Sequence, residues 1–204
     1  MGKTRLLYLG LDPARFQAEG AELFHYPVIR TEPLTTWPLH ARDFWRTATH
    51  LLLTSRSGAR YFRRLCPTGW EGKEVFAVGP ATADGEGARL APVPTQEGMV
   101  ELIQSAPTGS RFFWPCAETV RGELERALAA KGDLYCICPI YRTVCQRLDP
   151  VPDLERFDGI VFTSPSTVKG FCAIWGRLPP DKLWIPIGPV TKAALQKEAT
   201  KPFY

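Results

Sequence analysis

The chain has 204 residues, enough for two lobes of about 100 residues each. A hydrophobic content of 45% is that of a globular protein and excludes a largely disordered chain. Lysine and arginine exceed the acidic residues by 25 − 21 = 4, too few to point to nucleic acid but compatible with a small acidic ligand.

The amino terminus, MGKTRLLYLGLDP, is basic, but its apolar run is too short for a signal peptide. Position 6 is Leu6, so the myristoylation pattern fails. Gly2-Lys3-Thr4 resembles the end of a P-loop without the strand and glycine-rich loop that must precede it. No stretch approaches a membrane span, and a soluble, cytoplasmic protein is expected. Residues 26–37 then carry YPVIRT followed by prolines, an extended segment.

Leu51–Leu53 is a short apolar run ending at Thr54-Ser55, the pattern of a buried parallel strand, and the residues after it read as a helix. The next strand lies in VFAVG and leads into Gly79-Pro80-Ala81-Thr82. Gly85 and Gly87 follow, each costing about 1 kcal/mol in a helix, so any helix after Thr82 is expected to be very short. Glu118–Gly132 reads as a helix with Val120, Leu124 and Leu128 on one face and Gly132 as its stop. CPIYRT (Cys138–Thr143) is again extended. Ile160–Phe162 repeats the strand ending at Thr-Ser, and Ser164-Pro165 is N-cap chemistry followed by the residue favoured at the first helical position. WIPIG and GPVTKAALQKE complete the pattern as strand and helix.

These segments form one unit written twice. HLLLTSRSGARYF (His50–Phe62) resembles GIVFTSPSTVKGF (Gly159–Phe171), and VFAVGPATA resembles WIPIGPVTKA. Thr54 and Thr163 are 109 residues apart, as are Gly79 and Gly188. YPVIRT and CPIYRT form a third pair at an offset of 112. A repeat of this length is a duplicated domain, and strand–helix alternation predicts parallel sheets flanked by helices. Two crossing segments side by side would form a two-stranded hinge. Lobe one is then residues 1–33 and 145–204, and lobe two residues 34–144. The alternative is a tandem arrangement with one linker.

In open parallel sheets, ligands bind beyond the carboxyl ends of the strands. Helix starts there present unpaired N–H groups that favour carboxylates. Ser55, Ser57, Thr82, Ser164, Ser166 and Thr191 would add hydroxyl donors, and Arg56, Arg60 and Lys169 positive charge. Two facing lobes would supply up to four such turns around one cleft. Each hydroxyl can equally be a plain helix cap; recurrence at equal spacing is what favours a site.

The six cysteines contain no C-x-x-C pair, and the three histidines are scattered, so reduced, buried thiols and no metal site are expected. Cys136 and Cys138 would share one face of a strand.

Together FTSPSTVKGF (Phe162–Phe171), IGPVTKAAL (Ile187–Leu195), VGPATA (Val78–Ala83) and IYRTV (Ile140–Val144) resemble the uroporphyrinogen-III synthase family, a likeness that covers most of the chain. The resemblance implies two α/β lobes joined by a two-stranded ladder. It also implies a small tetrapyrrole substrate, hydroxymethylbilane, bearing an acetate and a propionate on each pyrrole. No cofactor is implied. One terminal pyrrole expels its hydroxyl to give an azafulvene, which the last pyrrole attacks at its substituted carbon. The spiro intermediate fragments and recloses with ring D inverted. Tyr141 matches the family tyrosine placed to donate to the departing hydroxyl. Thr82 and Thr191 match the Gly-x-x-Thr threonines, and Ser55 and Ser164 the Thr-Ser turns. A monomer is expected, free of nucleic acid and membrane, with transient contact to the preceding pathway enzyme. One departure stands out: the counterpart of Ile103 would fall beyond Tyr204, so lobe one is expected to lack a final strand and helix. The competing readings are a non-catalytic two-lobed protein that binds an acidic ligand, and a generic regulatory or solute-binding protein.

Overall fold

The computed structural model describes residues 2–34, 37–67, 70–83, 87–120 and 122–200. In chain order the strands and α-helices are β1 (Thr4–Tyr8), β2 (Ala21–His25), β3 (Ile29–Pro33), α1 (Leu39–Thr47), β4 (His50–Leu53), α2 (Arg56–Leu65), β5 (Glu74–Ala77) and β6 (Arg89–Leu90). There follow α3 (Gln96–Ser105), β7 (Arg111–Ala117), α4 (Gly122–Lys131), β8 (Leu134–Cys145), β9 (Gly159–Phe162), α5 (Pro165–Trp175), β10 (Leu183–Pro186) and α6 (Pro189–Ala199). The chain divides into two compact units: Met1–Arg30 with Thr143–Tyr204, and Thr31–Arg142.

The first unit holds the sheet β10-β9-β1-β2, parallel throughout. Its strands are apolar on both faces. Leu7, Leu9, Ile160 and Phe162 pack against Val168 and Phe171 of α5 and Leu195 of α6. Leu6, Tyr8 and Val161 face the other way, against Phe16, Ala18 and Leu23. Both α-helices of this unit therefore lie on one face, and the segment after β1 covers the other.

The second unit holds the sheet β3-β8-β7-β4-β5-β6. The pairs from β8 to β6 are parallel. Leu51 and Leu53 point toward Ala41 and Trp45 of α1 and Phe62 of α2. Leu52, between them, points toward Met99 and Ile103 of α3 and Leu124 and Leu128 of α4. This period of two puts two helices on each face. β6 and α3 have no counterpart in the first unit among the described residues.

The two extended segments run antiparallel. Leu34 N–H donates to the Ile140 carbonyl (2.9 Å), and Gln146 N–H donates to the Val28 carbonyl (2.9 Å). The partner number falls as the residue number rises, and β3 and β8 are neighbours in one sheet.

The helix predicted over 118–132 starts at Gly122. Glu118 instead extends the strand pairing, its N–H donating to the Tyr141 carbonyl (2.7 Å). Gly132 ends the helix at φ 77°, a left-handed conformation that glycine adopts freely. Pro80–Thr82 forms one 3-10 turn, and Gly85 lies outside the described residues. No helix among the described residues is long and apolar enough to cross a membrane.

Candidate active site

In the second unit β4 ends at Leu53, and α2 starts three residues later. Ser55 has extended backbone, and its Oγ accepts from Gly58 N–H (2.9 Å), capping α2. Thr54, just before it, accepts from Trp114 Nε1–H on β7 (2.9 Å). Both residues of the Thr-Ser turn are thereby tied down, one to the neighbouring strand and one to the helix.

Tyr141 enters the same place from β8. Opposite it the ladder slips: Cys116 pairs with Pro139, but Ala117 pairs with Tyr141, leaving Ile140 as an extra residue on β8. Such a bulge re-aims the side chains beside it. The Tyr141 hydroxyl lies 2.9 Å from Ser55 Oγ, and its ring is buried. Either oxygen can donate; with Ser55 donating, the Tyr141 proton stays available to a ligand. Burial pushes the Tyr141 pKa up, and the bond to Ser55 opposes the rise; Cys116 and Tyr61 add to it. Both the burial and the raised pKa favour the protonated phenol.

Gly58 makes the room. A Cβ there would lie 3.0 Å from both the Pro115 carbonyl and Ser55 Oγ, and 3.9 Å from Tyr141 Cε1. Arg56 is exposed on the first turn of α2. Thr82 is buried in the 3-10 turn after β5, on which α2 packs.

In the first unit Ser164 caps α5 in a full capping box. Thr167 N–H donates to Ser164 Oγ (3.3 Å), and Thr167 Oγ1 accepts from Ser164 N–H (3.2 Å) and Thr163 N–H (3.1 Å). Ser166 is half-buried on the first turn of α5. Thr191 is buried in the first turn of α6, after Gly188.

The structure thus joins Ser55 and Tyr141 directly, with Arg56 and Thr82 on adjoining turns of their unit. Ser164, Ser166 and Thr191 belong to the other. Sequence reasoning did not single out Gly58, nor Tyr61, whose ring stacks on Tyr141. The available signal was where the repeat breaks: Gly58 aligns with Thr167, and Tyr61 with Gly170.

No disulfide joins any of the six cysteines. Cys116 and Cys138 are buried, and burial raises both to about 12, which leaves them unreactive. Cys66 and Cys172 are half-buried and Cys145 is exposed, so burial is not uniform as expected; β8 runs out to the surface at its end. No group of three His, Cys, Asp or Glu residues among the described residues could hold a metal ion.

The family model described as uroporphyrinogen-III synthase HemD matches residues 13–204. The fold is similar to a uroporphyrinogen-III synthetase from Helicobacter pylori, with a TM-score of 0.66 at 14% identity, covering 98% of this chain and 91% of that one. It is also similar to a mutant uroporphyrinogen III synthase from the extreme thermophile Thermus thermophilus, with a TM-score of 0.59 at 22% identity and the same coverage. No curated protein matches the chain. At these identities the structures speak for the fold alone; the family model covers nearly the whole chain, and the chain belongs to the uroporphyrinogen-III synthase family.

Proposed function

We propose that this chain closes linear hydroxymethylbilane into uroporphyrinogen III, inverting ring D and losing water. The observation that carries the reading is the family match across residues 13–204. The Ser55–Tyr141 pair supports it with a buried, protonated hydroxyl at the carboxyl end of a parallel sheet.

In this reading Tyr141 donates to the hydroxyl leaving the terminal pyrrole, and Ser55 steadies it from behind. The pyrrole nitrogen supplies the electrons, so the step needs little more than a positioned donor. Control of geometry is the larger task, because unassisted closure gives the uninverted isomer. Holding the last pyrrole with its substituted carbon against the azafulvene is a near-attack arrangement. Substrate carboxylates would engage the helix starts, with Ser55, Arg56 and Thr82 serving in one unit and Ser164, Ser166 and Thr191 in the other. The protein would act as a cytoplasmic monomer that meets the preceding pathway enzyme only transiently. Separation of the porphyrin isomers formed from hydroxymethylbilane tests the reading: isomer III supports it, and isomer I alone refutes it.

A further inference from the structure

Tyr61 occupies a position where the two copies of the repeat part company. Its counterpart is Gly170, which lies so close to Val28 that an added Cβ would be 2.7 Å from the Val28 carbonyl. In the first unit helix α5 therefore meets the neighbouring backbone directly. In the second unit a tyrosine fills the equivalent space, and its ring stacks on Tyr141, with centroids 5.6 Å apart and planes at 25°.

The far end of Tyr61 is anchored. Its hydroxyl donates to the Thr31 carbonyl on β3 (2.8 Å) and lies 3.1 Å from Thr31 Oγ1. Thr31 Oγ1 also accepts from Arg60 Nη2–H (3.0 Å), and the Arg60 guanidinium lies 4.8 Å from the centre of the Tyr61 ring. β3 is the strand beside β8, which carries Tyr141. Helix α2 and its cap thus hold Tyr141 twice, at its oxygen through Ser55 and at its ring face through Tyr61, and β3 fixes the second grip.

A phenol hinged at its Cβ keeps its hydroxyl in place only if its ring cannot tilt. Ser55 alone supplies one bond at the tip, and Gly58 offers no side chain to back the ring edge at Cε1. The stacked neighbour supplies the remaining constraint.

We propose that Tyr61 is a positioning residue for the closure reaction, holding the Tyr141 ring in register with Ser55 through its stack and its anchor on Thr31. This rests on the reading of Tyr141 as donor to the departing hydroxyl. Tyr61 and Tyr141 come from different copies of the repeat but share one folded unit, and the residues aligned with them, Gly170 and Ile29, share the other.

The test is a cycle of Tyr61→Phe and Tyr141→Phe, read as kcat and KM for isomer III. Tyr61→Phe keeps the ring and removes the anchor. It should lower kcat about fivefold, the rate equivalent of one hydrogen bond, with KM changed less than about twofold. In the Tyr141→Phe background it should change neither. As a second readout, labelled-tyrosine NMR should show Tyr141 titrating lower in Tyr61→Phe than in the wild type, because a loosened ring gains water. An unchanged kcat, an equal loss in both backgrounds, or an unmoved Tyr141 titration overturns the role of Tyr61 while leaving an active synthase. A wild type that makes no isomer III overturns the function and this role with it.

Discussion

Ser55 caps α2 and holds Tyr141 with the same oxygen: the Gly58 N–H nitrogen and the Tyr141 hydroxyl each lie 2.9 Å from Ser55 Oγ. Helix stability and the placing of the donor are therefore tied together in one hydroxyl. In the repeated copy Ser164 caps α5, and Thr167 completes the box.

Tyr141→Phe removes the donor and leaves the ring in its stack. Turnover should fall roughly 10- to 100-fold, the lower end of what a positioned acid supplies, because the pyrrole nitrogen still drives the hydroxyl out. Isomer III should remain the product, since the geometry of closure is held elsewhere. Steady-state rates with isomer separation check both parts, and wild-type turnover would remove Tyr141 from the chemistry.

Ser55→Ala and Ser164→Ala each delete a cap, worth about 1 kcal/mol. The loss at Ser164 should be the smaller, because Thr167 Oγ1 still accepts from the Thr163 and Ser164 N–H groups. Only Ser55→Ala should also lower kcat beyond its effect on stability; Ser164→Ala, which removes a carboxylate-binding hydroxyl and no partner of Tyr141, should act on KM. Urea unfolding beside kcat separates the two effects; parallel losses of rate in both variants would contradict the link between Ser55 and Tyr141.

Gly170→Ala reverses the usual rule. Alanine in a helix interior ordinarily improves on glycine by roughly 0.5–1 kcal/mol. Here the new Cβ would meet the Val28 carbonyl at 2.7 Å and Val28 Cγ2 at 2.9 Å, and backbone cannot step aside cheaply. A net destabilisation of about 1–3 kcal/mol is expected from this overpacking, measurable as a fall in urea midpoint.

The contrast between the two copies explains what was legible in the sequence. The strands were plain because β4 and β9 are buried on both faces and read as continuous apolar runs. Ser164 was plain because Pro165 follows it at the first helical position. Tyr141 was visible through its motif, but the bulge at Ile140 that aims it was not, since a single extra residue leaves no mark on an apolar alternation. The clamp was hidden for another reason. Tyr61 and Thr31 are 30 residues apart, and no local pattern links a helix tyrosine to a strand carbonyl. Helix α4 starts later than its residue pattern predicts because strand pairing at Glu118 overrides helical propensity there.

His50 gives the second unit an acid-sensitive point. It is buried between Phe76 and Phe112, and its Nδ1 lies 2.7 Å from Thr49 Oγ1. Nε2 is 3.2 Å from Glu74 Oε2 but poorly aligned for a hydrogen bond. Burial lowers its pKa below the ordinary 6.5, Glu74 and Asp133 oppose the fall, and Arg89 assists it. The unfolded chain therefore takes up the proton first. Stability is full above 6.5 and falls as pH drops from there to the lowered folded value. Thermal melts from about pH 8 to about pH 5 should show a shallower loss below pH 6.5 in His50→Gln than in the wild type. Equal slopes would show that protonation of His50 is not a source of the loss.

The most direct measurement supplies hydroxymethylbilane, generated in place, to the folded protein and separates the oxidised porphyrin isomers against a control without it. A synthase shifts the product from isomer I to isomer III in proportion to protein concentration. Isomer I alone, from protein shown to be folded, would contradict that function.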